Sequence, residues 1–424
     1  MSKAHSISSA ARHRRTFSSS PAREADAPPT RTAVARQAVS TLTILLVGNY
    51  LTDQQQSMQL FAELLARELP QCDATARVEI VRPEPFFGRL KPSAEGLGKW
   101  LGYLDKFVLF PWRLRRKIAA LKRSGASFVV HLCDHSSAPY SRYLQDVPHV
   151  VTCHDMFAIR SALGEVPANL PGWSGRLYQS LILRGLKATG HAVCVSEQTR
   201  DEFLRVAAFP AERATLIPMG LNRPFWSTPL PERRASLEKL LGDSATRYLL
   251  HVGGNQWYKN RMGVLQIYAA LRKTNAVMPK LVLAGKPLCH EMRAFLEWHR
   301  DLARDVYVLT DVADDELRAL YSGAELLLFP SLAEGFGWPV IEAQACGCRV
   351  VTSDRAPLTE HGSDAAVYVD PDYPKAAAVI VRSVLEETAP QREARIRRGL
   401  QNAERFSAAQ MIRSYLATYR TLIS

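Results

Sequence analysis

Apolar runs of four to six residues recur along the chain, separated by stretches in which apolar positions fall three and four residues apart. LTILLVGNY, from Leu42, is the first strong strand. A loop and a helical pattern over Ser57–Leu69 follow it, with Leu60, Phe61, Leu64 and Leu65 on one face. FVVHLC from Phe128, HVVTCH from His149 and HAVCVS from His191 read as further strands, with helical patterns over Arg176–Leu186 and Glu197–Val206. NRPFWSTPLPERRASLEKLLGD, with three prolines and then a charged helical stretch, breaks the rhythm. It restarts with RYLLHVGG, KLVLAGK, VYVL, ELLLFP and RVVTSD, each strand followed by a helical pattern. Continuous apolar strands alternating with helices predict parallel βαβ units covered on both faces. The reading is α/β: two doubly wound, Rossmann-like domains facing across a cleft. A tail occupies residues 1–40, the first domain 41–221, a linker 222–244, the second domain 245–405, and a terminal helix within 406–424 packs back on the first domain.

Composition is that of an ordinary globular chain, 47% hydrophobic and 22% charged over 424 residues. Charge changes the picture through its placement. The net +13 is concentrated in residues 1–40, with seven Lys/Arg against two acids, and in residues 88–123, with ten against two. The first segment is Ser-, Ala- and Arg-rich and reads as a disordered basic tail, with an organellar transit peptide left open. The second interleaves Trp100, Tyr103, Leu104, Phe107 and Trp112 with cations. A peripheral contact with anionic membrane and a plain helix with solvated charges are both open there; Pro111 is expected to interrupt a single helix. No recognition motif for nucleic acid accompanies the charge. No run approaches a membrane span. The seven cysteines contain no CxxC pair and read as buried free thiols of a cytoplasmic protein, possible peripheral attachment at the inner membrane face aside.

Candidate chemistry concentrates in SLAEGFGWPVIEAQACGC, Ser331–Cys348, where Glu334 and Glu342 stand eight positions apart. The loop Ser331–Gly337 follows the end of a parallel strand, where ligands bind in such sheets. Pro339 suits a first helical turn and Gly347 a left-handed helix end. The helix N-terminus with the backbone of Gly335 and Gly337 forms an anion site by geometry. Glu342, one turn into the helix, is placed for vicinal hydroxyls such as a ribose; Glu334, ahead of the phosphate site, meets whatever lies beyond the phosphates. Two surface acids flanking a helix start are the plain alternative.

FPSLAEGFGWPVIEAQACGCRVVTSD closely resembles the signature of the retaining glycosyltransferases of family 4, which have the GT-B fold. Pro330, Ser331, Glu334, Gly335, Phe336, Gly337, Pro339, Glu342 and Gly347 match it. HVGGNQWYKNR resembles the family's diphosphate loop, VVTCHDMF its His-Asp strand end, and CVSEQTRDEFL and LIPMGLN its later strand–helix joins. The resemblance implies a metal-independent hexosyltransferase-type enzyme (EC 2.4) that moves a sugar with retention of configuration, a role in cell-surface polysaccharide synthesis, and no cofactor. The donor would be a UDP- or GDP-sugar and the acceptor a glycan, lipid or small molecule. It places His154, Lys259 and Glu334 at the reacting centre. Gly253, Gly254, Asn255, Lys259, Arg261, Gly285, Ser331, Glu334, Gly335, Phe336, Gly337 and Glu342 would hold the donor. Gly48, Asn49, Gln55, Asp134 and His135 would face the acceptor. The arginine usual near Gly254 is missing, which leaves a catalytically silent nucleotide-binding or scaffold protein as the alternative; Arg261 is the candidate substitute. His131, Asp134 and His135 fit no standard zinc spacing, and Asp314–Asp315 read as helix caps rather than metal ligands. A dinucleotide oxidoreductase is disfavoured, since VGGNQW lacks the third glycine of its fingerprint.

Overall fold

The computed structural model describes residues 41–424 apart from 52–55, 91–95, 167–168, 222, 224 and 274–277. The expected basic tail, and Gln55 with it, lie outside the described residues. In the first half, β1 (Leu42–Val47), β2 (Ala76–Val81), β3 (Ser127–Leu132), β4 (His149–Cys153), β5 (His191–Cys194) and β6 (Ala214–Leu216) form one all-parallel sheet in the order β2-β1-β3-β4-β5-β6. Its helices are α1 (Gln56–Cys72), α2 (Gly96–Leu104), α3 (Phe110–Arg123), α4 (Phe157–Ala162), α5 (Trp173–Lys187) and α6 (Glu197–Ala207).

The second sheet has β7 (Tyr248–Gly253), β8 (Lys280–Gly285), β9 (Val306–Thr310), β10 (Leu326–Phe329), β11 (Val350–Ser353) and β12 (Ala366–Val369), again parallel, in the order β12-β11-β10-β7-β8-β9. The accompanying helices are α7 (Leu230–Leu241), α8 (Arg261–Arg272), α9 (His290–Trp298), α10 (Arg300–Ala303), α11 (Asp314–Gly323), α12 (Trp338–Ala345), α13 (Leu358–Gly362), α14 (Pro374–Leu385), α15 (Ala389–Glu404) and α16 (Ala408–Ile423). This second order is the dinucleotide-fold pattern, with its reversal between β7 and β10. In the first sheet the reversal lies between β1 and β3. Strand order opens a crevice at each reversal, so the loops after β1, β3, β7 and β10 are where ligands are expected.

Three local expectations are revised. The proline-rich stretch 222–244 contains α7, whose Leu237 and Leu241 are buried in the core while Arg233 donates to the Ser322 carbonyl at 2.8 Å on α11. Half of that segment is thus packed structure. Pro111 does not break the helix. A π-turn over Asp105–Leu109 joins α2 to α3, and the Phe110 N–H reaches back five residues to the Asp105 carbonyl. The wider turn absorbs the missing proline donor. At α11 the cap is Ala313, whose N–H is taken by Glu316 at 3.0 Å, while Asp314 pairs with Arg223. Asp314 and Asp315 act on the helix dipole instead of capping, and the capping bond belongs to Glu316.

The chain returns at its end to the first domain. Tyr415 and Tyr419 of α16 are fully buried, and their hydroxyls meet Thr152 at 2.9 Å and His131 at 2.7 Å. Burial lowers the His131 pKa to about 3, so the ring is a neutral packing element and not a cleft residue.

Candidate active site

At the second reversal, the loop after β7 carries Gly253, Gly254, Asn255 and Lys259, and the loop after β10 runs from Ser331 to Gly337. Close approach fixes the glycines. A Cβ on Gly285 would lie 2.1 Å from the Gly253 carbonyl oxygen, and Gly285 has φ +143°. Gly337 caps α12 at φ +88° with no side-chain cap, and the first N–H groups of α12 have no intrahelical acceptor. Asn260, also left-handed, donates to the Pro330 carbonyl at 2.9 Å, and the Leu332 N–H donates to the Tyr258 carbonyl at 2.7 Å. These two bonds join both loops into one floor.

On that floor Lys259 Nζ sits 2.8 and 2.9 Å from the two carboxylate oxygens of Glu334, nearly buried, with the ammonium 5.2 Å above the Phe329 ring. An ammonium has three donors, so one remains after the carboxylate is served. Beside it Arg261 is buried at 2% exposure. Its Nη1 donates to Asn255 and, at 2.8 Å, to the Lys286 carbonyl, whereas Nε and Nη2 have no protein partner. Burial lowers its pKa, the signature of a cation held out of water. His251 Nε2 and Ser331 Oγ are likewise buried without partners. Burial drives the His251 pKa to about 3, aided by Arg261 and Lys259, so its ring stays neutral. A buried polar group without a partner is rare in folded proteins and calls for a ligand or solvent.

Glu342 lies on α12 and accepts from the Tyr321 hydroxyl at 2.8 Å. Burial raises its pKa to about 7 against the opposing pull of Tyr321, Arg223 and Lys259. Gly254 and Phe336 complete the floor: a Cβ on Gly254 would strike Gln256, and the Phe336 carbonyl accepts from His361 Nδ1 at 2.6 Å.

Across the cleft, the first reversal brings together Gly48, Asn49, Asp134 and His135. Asn49 donates to Asp134, which caps its own loop through Ser136 N–H at 3.1 Å and stands 3.1 Å from His135 Nδ1. Burial opposes ionisation of Asp134, yet His135, His154 and the Ser136 and Asn49 bonds outweigh it and hold its pKa below normal. His154 is buried, its Nε2 donating to the Cys133 carbonyl at 2.8 Å and its ring edge-on to Phe61. A carbonyl only accepts, so the proton belongs to Nε2. Burial lowers its pKa despite the attraction of Asp134, leaving a neutral ring with a lone pair on Nδ1.

The two halves meet here. The Gly335 carbonyl accepts from Ser196 Oγ at 3.0 Å, and a Cβ on Gly335 would lie 2.1 Å from the His154 carbonyl oxygen. Every described residue named for the donor side therefore falls on one floor, and those named for the acceptor side on the opposite loops. Sequence reading missed His251 and Tyr321. The first looked like an ordinary strand residue; the second lies on another helix, 21 positions from the acid it serves.

Paired Rossmann-type domains with sites at both reversals define the GT-B architecture. Residues 58–223 match the family described as Glycosyltransferase Family 4, and residues 232–402 that described as Glycosyl transferases group 1. O-antigen chain mannosyltransferase B of Escherichia coli is 27% identical over 287 residues, 64% of this chain and 70% of its own. O-antigen chain mannosyltransferase RfbU of Salmonella typhimurium is 33% identical over 117 residues, 28% of this chain and 33% of its own. Among solved structures, sucrose-phosphate synthase from Thermosynechococcus elongatus is similar at TM-score 0.69 and 19% identity, over 90% of this chain and 99% of that one. WaaG, a glycosyltransferase involved in lipopolysaccharide biosynthesis, gives 0.64 at 16% identity, over 88% and 98%. Anabaena Alr3699/HepE in complex with UDP-glucose gives 0.62 at 17%, over 89% and 99%. At such identities the structural likeness carries the fold alone. The chain belongs to the family 4, group 1 glycosyltransferases: it is a sugar-transferring enzyme.

Proposed function

We propose that the protein transfers a hexose from a nucleotide-diphosphate sugar, with retention of configuration and without a metal ion, to a glycan or lipid-linked acceptor. The observation that carries this is the set of donors on the loop after β7 and the start of α8: the third N–H of Lys259, and the buried, unpartnered Nε and Nη2 of Arg261. A diphosphate matches them in charge and in hydrogen bonding. Arg261 takes the part of the arginine missing beside Gly254. With two side-chain cations and a helix N-terminus on the leaving group, the positive charge that a divalent ion supplies elsewhere is already present.

The remaining roles follow from position. Glu342 accepts from the ribose hydroxyls. Glu334, fixed by Lys259, accepts from hydroxyls of the transferred sugar. His154 presents its Nδ1 lone pair towards the sugar, where it accepts a hydroxyl proton or faces the positive charge that develops at the anomeric carbon. With no carboxylate assigned as a nucleophile, the acceptor oxygen attacks from the face the diphosphate leaves: its bond to the anomeric carbon forms as the phosphate oxygen's bond breaks. The departing phosphate takes the acceptor's proton. Positioning and charge stabilisation provide the rate. UDP-glucose, named with the Anabaena structure, and a mannosyl donor, named by the O-antigen relatives, are the first two to try.

The test is saturation binding and slow hydrolysis of UDP-, GDP- and ADP-sugars by the purified full chain, with and without EDTA. One donor is expected to saturate and to release its nucleoside diphosphate at an EDTA-insensitive rate, with the freed or transferred sugar keeping its anomeric configuration by NMR. No binding of any nucleotide sugar would overturn the reading and leave a silent scaffold of the same fold.

A further inference from the structure

Tyr321 is fully buried, yet its hydroxyl reaches the donor floor and donates to Glu342 Oε2 at 2.8 Å. Other buried phenols of this domain are satisfied by backbone carbonyls, Tyr248 by Leu320 at 2.7 Å and Tyr268 by Pro279 at 2.9 Å. A carboxylate partner makes the bond charge-assisted, roughly twice as strong as a neutral one. It also leaves room for a ligand: a carboxylate offers about four lone-pair sites, and a phenol fills one of them.

The surroundings fix where that hydroxyl points. Phe225, buried in the stretch between the domains, meets the Tyr321 ring edge-on at 6.0 Å. On either side the α11 chain is tied down. The Leu320 carbonyl accepts from Tyr248 of β7, the Ser322 carbonyl from Arg233 of α7 at 2.8 Å, and Ser322 Oγ from the Thr228 N–H at 2.9 Å. The charged groups that bear on Glu342 are Asp314 of α11, Arg223 between the domains and Lys259 of the loop after β7. Arg223 pairs with Asp314 and Lys259 with Glu334, so both cations already serve another acid. Among the described residues, Tyr321 is the side chain that donates a hydrogen bond to Glu342. Burial pushes the Glu342 pKa up to about 7, and the Tyr321 bond leads the forces that hold it down. Burial and Glu342 push the Tyr321 pKa well up, and burial keeps the neighbouring thiols of Cys346 and Cys348 protonated. The phenol therefore stays a donor throughout the neutral range.

We infer that Tyr321 is a positioning residue for the donor: it turns Glu342 towards the ligand as a pure acceptor and so sets the preference of the site for a ribose over a deoxyribose. An ionised carboxyl only accepts, which matches two vicinal hydroxyls, whereas a protonated one brings a competing donor of its own. Removing a sugar hydroxyl leaves the buried carboxylate short of a hydrogen bond, which is how such sites reject an analogue. The inference rests on the transferase reading, with Glu342 at the ribose.

The experiment is calorimetric titration of the full chain and of Tyr321→Phe, which loses one oxygen and keeps the ring. The probes are whichever of UDP-glucose, GDP-mannose and ADP-glucose binds, and its 2′- and 3′-deoxyribose counterparts, from pH 6.0 to 8.5. Thermal unfolding checks the fold of the variant. The unaltered chain should prefer the ribose donor about tenfold or more at pH 8. In Tyr321→Phe the loss of affinity on acidification should begin about one pH unit higher. At pH 7 the ribose donor should bind about tenfold more weakly and the preference should shrink; at pH 8.5 both should return to within about threefold of the unaltered chain. In a Glu342→Gln background the same substitution should change affinity by less than about threefold, since Tyr321 acts through the ionised acid. A variant profile equal to that of the unaltered chain overturns the inference, as does equal affinity of the unaltered chain for ribose and deoxyribose donors. A loss that is the same at every pH, or undiminished in Glu342→Gln, also overturns it and makes Tyr321 a packing residue. No binding of any of these donors by the unaltered chain would instead remove the transferase reading, and this inference with it.

Discussion

Glu342 is the residue at which burial and chemistry pull against each other. A carboxyl with a pKa near 7 is half protonated at neutrality, yet ribose hydroxyls donate most strongly to the ionised form. Donor affinity should therefore fall as pH drops below 7, approaching tenfold per unit well below it. The two phosphates of a nucleotide sugar do not titrate in this range, so the slope reports the protein. Calorimetric titration from pH 5.5 to 8.5 checks this: Glu342→Gln should flatten the profile, and an equal slope in the variant would remove Glu342 from ribose binding. The same shift affects folding with the opposite sense. Because the folded pKa lies above the unfolded one, its contribution is full below about pH 4.5 and is lost as pH rises through 7. The ion pair makes a different case. Lys259→Met removes a clamp cation and leaves Glu334 buried and unpaired. A fall in kcat of about 10²–10³-fold is expected together with a loss of stability. The double variant K259M/E334Q should recover the stability but not the turnover. Recovery of both in steady-state kinetics and unfolding would show the pair to be purely structural.

Among the elements, the π-turn between α2 and α3 is held by the Tyr140 hydroxyl, which donates to the Lys106 carbonyl at 3.0 Å, and above all by the Asp105 side chain. The Asp105 carboxylate accepts from the backbone N–H groups of Phe86, Phe87 and Gly88 at 3.1, 3.0 and 2.9 Å, and from Tyr50. Removing it strands three backbone donors, that of Gly88 buried and those of Phe86 and Phe87 partly so, and Asp105→Ala should cost about 3 kcal/mol, and Tyr50→Phe about 1 kcal/mol, in denaturant unfolding. Equal, negligible effects would show that the turn is set by Pro111 alone. This element also marks where sequence reading stops. Strands such as LTILLV and LVLAG are legible because both faces are buried and the whole run is apolar. Ser331–Cys348 was legible because Gly337, Pro339 and Gly347 each punctuate the helix locally. The π-turn was not, since its cause is a carboxylate capturing backbone 17 to 19 residues away. In α7 the charged helical stretch was legible, but its burial was not, since that depends on what Leu237 and Leu241 pack against. The floor of the donor site divides the same way: glycines and Lys259 follow from local pattern, whereas the pairing of Tyr321 with Glu342 needs the tertiary fold.

At the scale of the molecule, the proposed reaction requires a donor held by the second domain to meet an acceptor held by the first, and the structure shows contacts that join the two domains. Gly335 abuts the His154 carbonyl, Ser196 donates to Gly335, and Tyr258 packs on Phe157 at 5.6 Å. Glu360 of the second domain accepts from the Glu197 and Gln198 N–H groups, both at 2.9 Å, at the N-terminus of α6 in the first. These contacts lie on loops and short or starting helices that carry or adjoin the candidate site, so closure and assembly of the site are one event. Gly335→Ala isolates that event. Its methyl would sit 2.1 Å from the His154 oxygen and pushes the domains apart, while the donor floor, built within the second domain, stays intact. Donor affinity should change by no more than about threefold, whereas kcat falls about 10²-fold or more, because a displacement near 1 Å is enough to misalign reacting atoms. Small-angle scattering should show the variant more extended with donor bound than the parent chain. If kcat is unchanged and the scattering curves coincide, closure at Gly335 is not the step that assembles the reacting pair, and domain contact serves stability alone.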